Sequence, residues 1–382
     1  MMTNKVYRIK EAGYLDIGQD KVKSLLSTCP DFFIPCYRNG VFQAQAKQYV
    51  GTVIYGDGTV IEVLPKIGSS VEKSKELLER MIRTVYLRPH SLEKSVSNTI
   101  KDSLLEYYIR MFCWEAEEIF RKGVSHGYSR KEENLSCVKG RILFNKDIKN
   151  NIVDRSKVYV NHEIYSDDRP ENRIILATAG LLQSITHDSD NKRLLSLIQS
   201  SFKDVTIISD YKQEFRKCTH DRSVQHYEKI LDICYVFLNG SHSVYSGEHV
   251  SISLLFDMNI LYERYVAHWI KINYPGAIVK TQDRSKKLFG TFGIRPDIVM
   301  EYYGKTYILD TKWKILDKYG DVSMQDIQQM HSYISEYGTN EAFLLYPKAD
   351  LPNKDYSSDK GVLHLSFVDL FDEKSICPIT SN

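Results

Sequence analysis

The chain has no Cys-x-x-Cys pair, no His-Glu-x-x-His and no Gly-x-x-x-x-Gly-Lys-Ser/Thr. Its seven cysteines, at 29, 36, 113, 137, 218, 234 and 377, are odd in number and scattered, which argues for a reducing compartment and against a zinc ribbon. Eleven histidines without the paired spacing make a zinc hydrolase a poor reading, and the missing P-loop means that nucleotide binding through one is not expected. No apolar stretch follows the Met-Met-Thr-Asn-Lys start, and no run of about eighteen apolar residues occurs, so export and membrane insertion are not expected and a cytoplasmic location is. An excess of one charge is missing too: 51 Lys and Arg against 49 Asp and Glu leave +2, without the basic surplus of an autonomous DNA binder. Any grip on DNA must come from local patches or from a partner.

What is present is enough for two or three domains with real cores, at 382 residues and 42% hydrophobic content. The expected fold class is α+β and multidomain. Residues 1–67 read as a β-rich N-terminal domain, with alternation in VFQAQAKQYVGTVIY and a turn at Gly56-Asp57-Gly58. Residues 68–245 read as mainly helical, with helices expected at Glu72 to Leu87, Asn98 to Lys122, Pro170 to Ile185, Asn191 to Phe202 and Ser223 to Leu238. A strand and loop insertion near 131–165 interrupts them and carries Lys139, Arg141, Lys146, Lys149, Arg155 and Lys157; it could meet an acidic partner or be a solvated surface. The Gly, Ser and His-rich stretch Asn239 to Ser251 reads as a boundary, leaving 250–382 as a C-terminal domain. Twenty-six tyrosines could serve base stacking, but core packing explains them as well.

The densest chemical signal is RPDIVMEYYGKTYILDTKWK, residues 295–314. A phosphodiester is anionic and its alkoxide leaves poorly, so its hydrolysis needs charge neutralised and water activated; Mg²⁺ held by hard oxygen ligands does both. On a strand TYILDTKW, side chains alternate, so Asp310 and Lys312 share one face about 7 Å apart. Asp310 can then ligate metal while Lys312 touches the attacking water or the phosphate. A hairpin through Tyr302 to Lys305, with Gly304 in the turn, brings Asp297 beside Asp310. Arg284, Lys286, Lys287 and Arg295 lie around this point, where phosphate contacts would hold the scissile strand.

Alone, this motif is weak; its neighbourhood strengthens it. Ser253 to Asn273 carries apolar residues at 254, 255, 258, 261, 262, 265, 266 and 269, a helical stripe with Glu263 at its edge. Downstream, Ser323 and Asp326 resemble a capping box, opening a helix that runs to Gly338 with Gln329 and Tyr333 as neighbours. Strands are expected at Gly276 to Gln282, Ile294 to Glu301, Thr306 to Trp313 and Ala342 to Tyr346. The resulting order, α-β-β-β-α-β, is that of the PD-(D/E)xK nuclease core.

Beyond the motif, YVGTVIYGDGTVIEVLPKI (49–67), KGRILF (139–144), ENRIILATAGLL (171–182), LLFDMNILYERYV (254–266), RPDIV with ILDTKWK, and DIQQMHSY (326–333) resemble, in order, the McrC family. That family is the nuclease subunit of McrBC-type, 5-methylcytosine-specific restriction systems and a branch of the PD-(D/E)xK superfamily. The resemblance implies that Asp297, Asp310 and Lys312 match the catalytic triplet, that Glu263 matches the acidic residue of the first core helix and joins the two Asp as a metal ligand, and that Gln329 and Tyr333 match auxiliary catalytic positions. The alternatives are a solvated helix-edge carboxylate for Glu263 and packing for Gln329 and Tyr333. His331 and Ser332 depart from the family, which tends there to be apolar or small. It further implies a Mg²⁺-dependent DNA endonuclease of phage defence, docked through its N-terminal part on a McrB-like hexameric AAA+ GTPase that binds the nucleotide and is stimulated in return, with double-stranded DNA as substrate. The other readings are a stand-alone RecB-like nuclease and a non-cleaving activator of a partner NTPase.

Overall fold

The computed structural model describes residues 5–86, 104–219, 224–239 and 250–376. The chain divides into two compact units, one of Met1–Pro89 with His242–Asn382 and one of His90–Ser241. The N- and C-terminal segments, expected from the sequence as separate domains at 1–67 and 250–382, therefore lie in one unit. Residues 240–249, most of the expected boundary, and 98–103 of the second expected helix lie outside the described residues, as does Cys377.

The first unit opens with β1 (Val6–Lys10), β2 (Tyr14–Leu15), α1 (Gln19–Thr28), β3 (Phe33–Arg38), β4 (Val41–Ala46), β5 (Tyr49–Tyr55), β6 (Val60–Leu64) and α2 (Val71–Tyr86). The short helix α1 was not foreseen in the β-rich segment. It lays Val22 and Leu25 on the same core as Phe33, Ala44, Val53 and Ile61. The Gly56-Asp57-Gly58 turn forms as expected: Asp57 Oδ1 accepts from the Thr59 backbone N–H at 2.9 Å, and Gly58 supplies a φ of 82°.

The second unit contains α3 (Leu104–Lys122), β7 (Gly127–Leu135), β8 (Arg141–Ile142), α4 (Phe144–Asn151), β9 (Val158–Ser166), α5 (Pro170–Ile185), α6 (Ser189–Ser201), α7 (Tyr211–Lys217) and α8 (Glu228–Asn239). Helices α3, α5, α6 and α8 bury Phe112, Ile174, Ile175, Leu195 and Cys234 among themselves. The insertion expected between them is the sheet β7-β9-β8. It also holds α4, which sequence reading took for strand or loop.

The first unit resumes with β10 (Val250–Asp257), α9 (Met258–Asn273), β11 (Ile278–Thr281), β12 (Lys287–Leu288), β13 (Phe292–Gly293), β14 (Ile298–Tyr302), β15 (Lys305–Thr311), α10 (Met324–Tyr337), β16 (Glu341–Pro347), β17 (Lys354–Ser357) and β18 (Val362–Val368). Here the expected helix from Ser253 is corrected: residues through 257 belong to β10, antiparallel to β5. Leu254 and Leu255 suit either period, and pairing with β5 decides it. The pairing needs Gly51, where a Cβ would strike the Leu254 carbonyl. Asp257 then caps α9, accepting from Asn259 N–H at 2.8 Å. The strand expected from Ile294 likewise begins only at Ile298, because Pro296 lacks a ladder N–H.

The sheets run β1-β6-β5-β10 and β11-β14-β15-β16-β18-β17. In the second, β11, β14 and β15 are antiparallel, while β15, β16 and β18 are parallel. Helix α10 packs Met330, Tyr333 and Ile334 on Val299, Ile308, Ala342 and Leu344. Helix α9 packs on β15 and on α2. The α-β-β-β-α-β order is thus present, with the small β12–β13 hairpin inserted. Among the described residues no helix is long and apolar enough to cross a membrane.

Candidate active site

The turn Tyr303-Gly304, with φ of 48° and 74°, joins β14 to β15 and pairs Tyr302 with Lys305 and Ile298 with Leu309. Two successive left-handed residues are the tight hairpin geometry whose twist matches the strands. Extending that register by one residue sets Asp297, just ahead of β14, opposite Asp310 near the end of β15. Asp310 is 2% exposed. Burial, then the Asp297 charge, push its carboxyl up to about 6 against the pull of Lys312.

Lys312 lies beyond β15, its backbone N–H held by the Leu345 carbonyl at 2.9 Å. Its Nζ stands 2.8 Å from Asp310 Oδ2, 3.3 Å from Asp326 Oδ1 and 3.1 Å from Gln329 Oε1, which accepts a hydrogen bond from it. The Lys312 ammonium is the charged partner of Asp310 Oδ2, which has no further hydrogen-bond partner among the described residues. Burial pulls the Lys312 ammonium down, but Asp310 and Asp326 outweigh it and hold the pKa above the usual value. Gln329 Nε2 donates to Tyr333 Oη at 2.8 Å, one helical turn along α10. Both residues thus join the group around Lys312.

Glu263 projects from α9, half-buried. Burial and then the Asp297 charge push its carboxyl up to about 7. Between it and Asp297 stands Gln282, whose Nε2 donates to Glu263 Oε1 at 2.5 Å and to Asp297 Oδ1 at 3.2 Å. Arg295 Nε donates to Gln282 Oε1. The other Asp297 oxygen accepts from Thr311 N–H and Oγ1, both at 2.8 Å. Arg284, Lys286 and Lys287 are exposed and stand outside this network.

Sequence reasoning missed Gln282, Thr311 and Asp326. Gln282 ends a strand at φ 53°, and no spacing rule marks it. Asp326 was read as the partner of Ser323 in a capping box. Ser323 does cap α10, accepting from Gln325 N–H at 3.2 Å, but Asp326 turns to Lys312 instead. A second carboxylate within reach of the lysine was the signal available.

Among the described residues no three His, Cys, Asp or Glu side chains form a ready-made metal cluster. The expected trio of Glu263, Asp297 and Asp310 is separated by the Gln282 amide and by the Thr311 bonds on Asp297. Asp297 and Asp310 nevertheless suit a hard divalent cation. They are opposed carboxylates, one buried and destabilised by the other's charge.

Comparison with known proteins agrees with this architecture. The Type IV methyl-directed restriction enzyme EcoKMcrBC of Escherichia coli (strain K12) is 21% identical over 299 residues, covering 67% of this chain and 84% of that protein. A refined half-complex from a tetradecameric assembly of Thermococcus gammatolerans McrB AAA+ hexamers with bound McrC contains a chain that superposes with a TM-score of 0.62 at 16% identity, over 97% of this chain and 98% of that one. A chain of the cryo-EM structure of the Thermococcus gammatolerans McrBC complex gives 0.50, also at 16% identity, over 70% of this chain and 88% of that one. At such identity these two show the fold alone. The family model described as McrBC 5-methylcytosine restriction system component matches residues 44–347, and the chain belongs to that family.

Proposed function

We propose that this chain is the Mg²⁺-dependent DNA endonuclease subunit of a McrBC-like restriction complex, cutting phosphodiester bonds when docked on a hexameric AAA+ GTPase that it stimulates. The observation that carries the reading is Asp297 facing Asp310 across the β14–β15 hairpin, with Lys312 2.8 Å from Asp310. Such a grouping supports a PD-(D/E)xK reading of the core, with Gln329 and Tyr333 as auxiliaries. A zinc or cysteine hydrolase would need groups that this face lacks.

Asp297 and Asp310 would hold Mg²⁺, with Glu263 joining them. When bound, the ion neutralises phosphate charge and lowers the pKa of water. The side chains around it have separable tasks. Lys312 reaches towards the space beside Asp310, where its ammonium can orient the attacking water or meet the phosphate oxygen that gains charge. Asp326 and Gln329 fix that ammonium from α10, so little freedom is left to lose in the transition state. Tyr333 fixes Gln329 in turn. Thr311 orients Asp297 through two hydrogen bonds, leaving its other oxygen towards Glu263. Arg284, Lys286, Lys287 and Arg295 contribute phosphate contacts.

For docking, α4 presents Phe144 and Ile148, followed by Ile152 and Val153, all exposed. This apolar stripe lies within the basic segment 131–165 and suits a protein partner. The AAA+ assembly of the Thermococcus relative gives the partner class. The test is plasmid cleavage by the purified chain with Mg²⁺, with and without its McrB-like AAA+ partner and GTP or ATP. Cutting only in the complete mixture is expected. Cutting by the chain alone would replace this reading with a free-standing nuclease, and stimulated nucleotide hydrolysis without cutting would replace it with an activator.

A further inference from the structure

Between Gln282 and Asp297, both in the site, the chain leaves the sheet and returns through a short hairpin. Lys287 pairs with Gly293 and Leu288 with Phe292, and Ile294 N–H donates to the Lys286 carbonyl at 3.2 Å. The turn Leu288-Phe289-Gly290-Thr291 is closed by Thr291 N–H donating to the Leu288 carbonyl at 3.0 Å. Phe289 and Gly290 have φ of 50° and 68°. This is a turn with two left-handed residues, whose first position physical chemistry gives to Asn, Asp or Gly, because a bulky side chain collides with its own backbone there. Phenylalanine is unfavourable there, as is Tyr303 at the same position of the β14–β15 turn, and the Phe289 ring is 90% exposed. Phe292, on the returning strand, is 66% exposed. Leu288 packs against the core under α10, so the hairpin has an anchored root and an exposed apolar tip.

The charges around it are equally unspent. Arg284, Lys286 and Lys287 are exposed and take part in no ion pair among the described residues. Lys280, on β11, and Lys348, just past β16, are by contrast paired with Glu301 and Asp369. Unpaired cations beside bare aromatic rings fit a polyanion that also offers flat apolar faces, which is nucleic acid. The hairpin root is also tied to the site. Three residues lie between Gly293 and Asp297, a reach of about 14 Å at most over the four Cα steps. That is less than one turn of duplex, about 34 Å.

We propose that residues 284–293 form a DNA wedge: Arg284, Lys286 and Lys287 hold the phosphates flanking the scissile bond, while Phe289 inserts against an opened base step and Phe292 stacks behind it. The proposal rests on the reading of the neighbouring site as a DNA nuclease and names how that site engages its substrate.

The test uses the full chain with its AAA+ partner and a non-hydrolysable GTP analogue, Ca²⁺ in place of Mg²⁺, and duplexes carrying 2-aminopurine at successive steps from the cut. Wild type should raise the fluorescence at one step within a turn of the cut. Phe289→Ala should abolish that signal and weaken DNA binding about fivefold or more, the loss of one aromatic–base stack. Phe289→Asn should do the same while raising the melting temperature, because Asn suits the turn; this separates loss of the wedge from loss of the fold. An unchanged fluorescence signal in both variants would overturn the wedge. So would loss of GTPase stimulation with the DNA signal intact, which would give the hairpin to the protein partner. Wild type that neither binds nor cuts duplex would overturn the nuclease reading beneath it, a result distinct from either variant's failure.

Discussion

Trp313 donates its indole N–H to both oxygens of the buried Glu11 carboxylate, at 2.8 and 2.9 Å. Lys66 completes the link: its backbone N–H donates to Glu11 Oε1 at 2.8 Å and its Nζ to the Trp313 carbonyl at 2.9 Å. Residues near the start of the chain thus grip the residue that follows Lys312. Burial holds the Glu11 carboxyl above its usual pKa despite Lys66, so its partners are not dispensable. Trp313→Phe should cost about 1–3 kcal/mol in urea unfolding, the penalty for a buried acceptor deprived of its donor. Cleavage should fall with it, through Lys312, while Mg²⁺ affinity is kept. Unchanged stability would show that the grip is incidental.

For Asp310→Ala the expected outcome is complete loss of plasmid cleavage with assembly and GTPase stimulation intact. Removing a buried carboxylate that repels Asp297 does not threaten the fold, and Lys312 retains Asp326 and Gln329. Cleavage that survives in this variant would remove the metal-dependent mechanism proposed above.

The pH dependence of metal binding follows from two carboxyls. Glu263 and Asp310 have pKa values of about 7 and about 6, against 4.5 and 3.8 for the free groups. Both are raised, so the metal-free fold holds protons that the unfolded chain has released. Their stabilising contribution is complete below about pH 4 and is lost as pH rises towards about 7. A cation needs the ionised forms, so its affinity should climb across the same window. The melting temperature should rise with Mg²⁺ at about pH 8 and respond little at about pH 5. A Mg²⁺ response of the same size at both pH values would contradict this assignment.

Lys286→Glu combined with Lys287→Glu should weaken DNA cleavage and leave GTPase stimulation intact, since both residues are exposed and take no part in the hydrogen bonds and ion pairs around Lys312. The salt dependence of DNA binding should become shallower, by roughly one unit of slope for each lost phosphate contact. Loss of both activities would indicate misfolding.

How much of this was legible in the sequence depended on range. The β14–β15 hairpin was readable because turn chemistry and alternation are local: Gly304 set the turn, and the period of two put Asp310 and Lys312 on one side. Helix α10 was readable from its stripe and its Ser323 cap. The start of α9 was not, because Leu254 and Leu255 fit a helix or a strand, and β5, some two hundred residues earlier in the chain, decided between them. The Glu11–Trp313 bond and the Gln282 bridge were illegible for the same reason. Each joins residues whose meeting follows only from the finished sheets, and glutamine after a strand carries no pattern of its own.

Gln282 supports the last prediction. Its Nε2 donates to Glu263 and to Asp297 at once, so the amide stands where it relieves the repulsion between two carboxylates, the task a cation would take over. Arg295, bonded to the amide oxygen, fixes which end faces them. An interaction made only in the metal-free state stabilises that state and opposes metal binding by the same amount, because the two equilibria are linked. Gln282→Ala should therefore lower the melting temperature without metal, enlarge the rise on adding Mg²⁺, and tighten the Mg²⁺ dissociation constant several-fold, as hydrogen bonds to charged groups contribute about 1.5–3 kcal/mol. If the side chain instead swung round to ligate the ion through its oxygen, the same variant would bind Mg²⁺ more weakly. Titration of wild type and variant by calorimetry separates the two, since the dissociation constant moves in opposite directions.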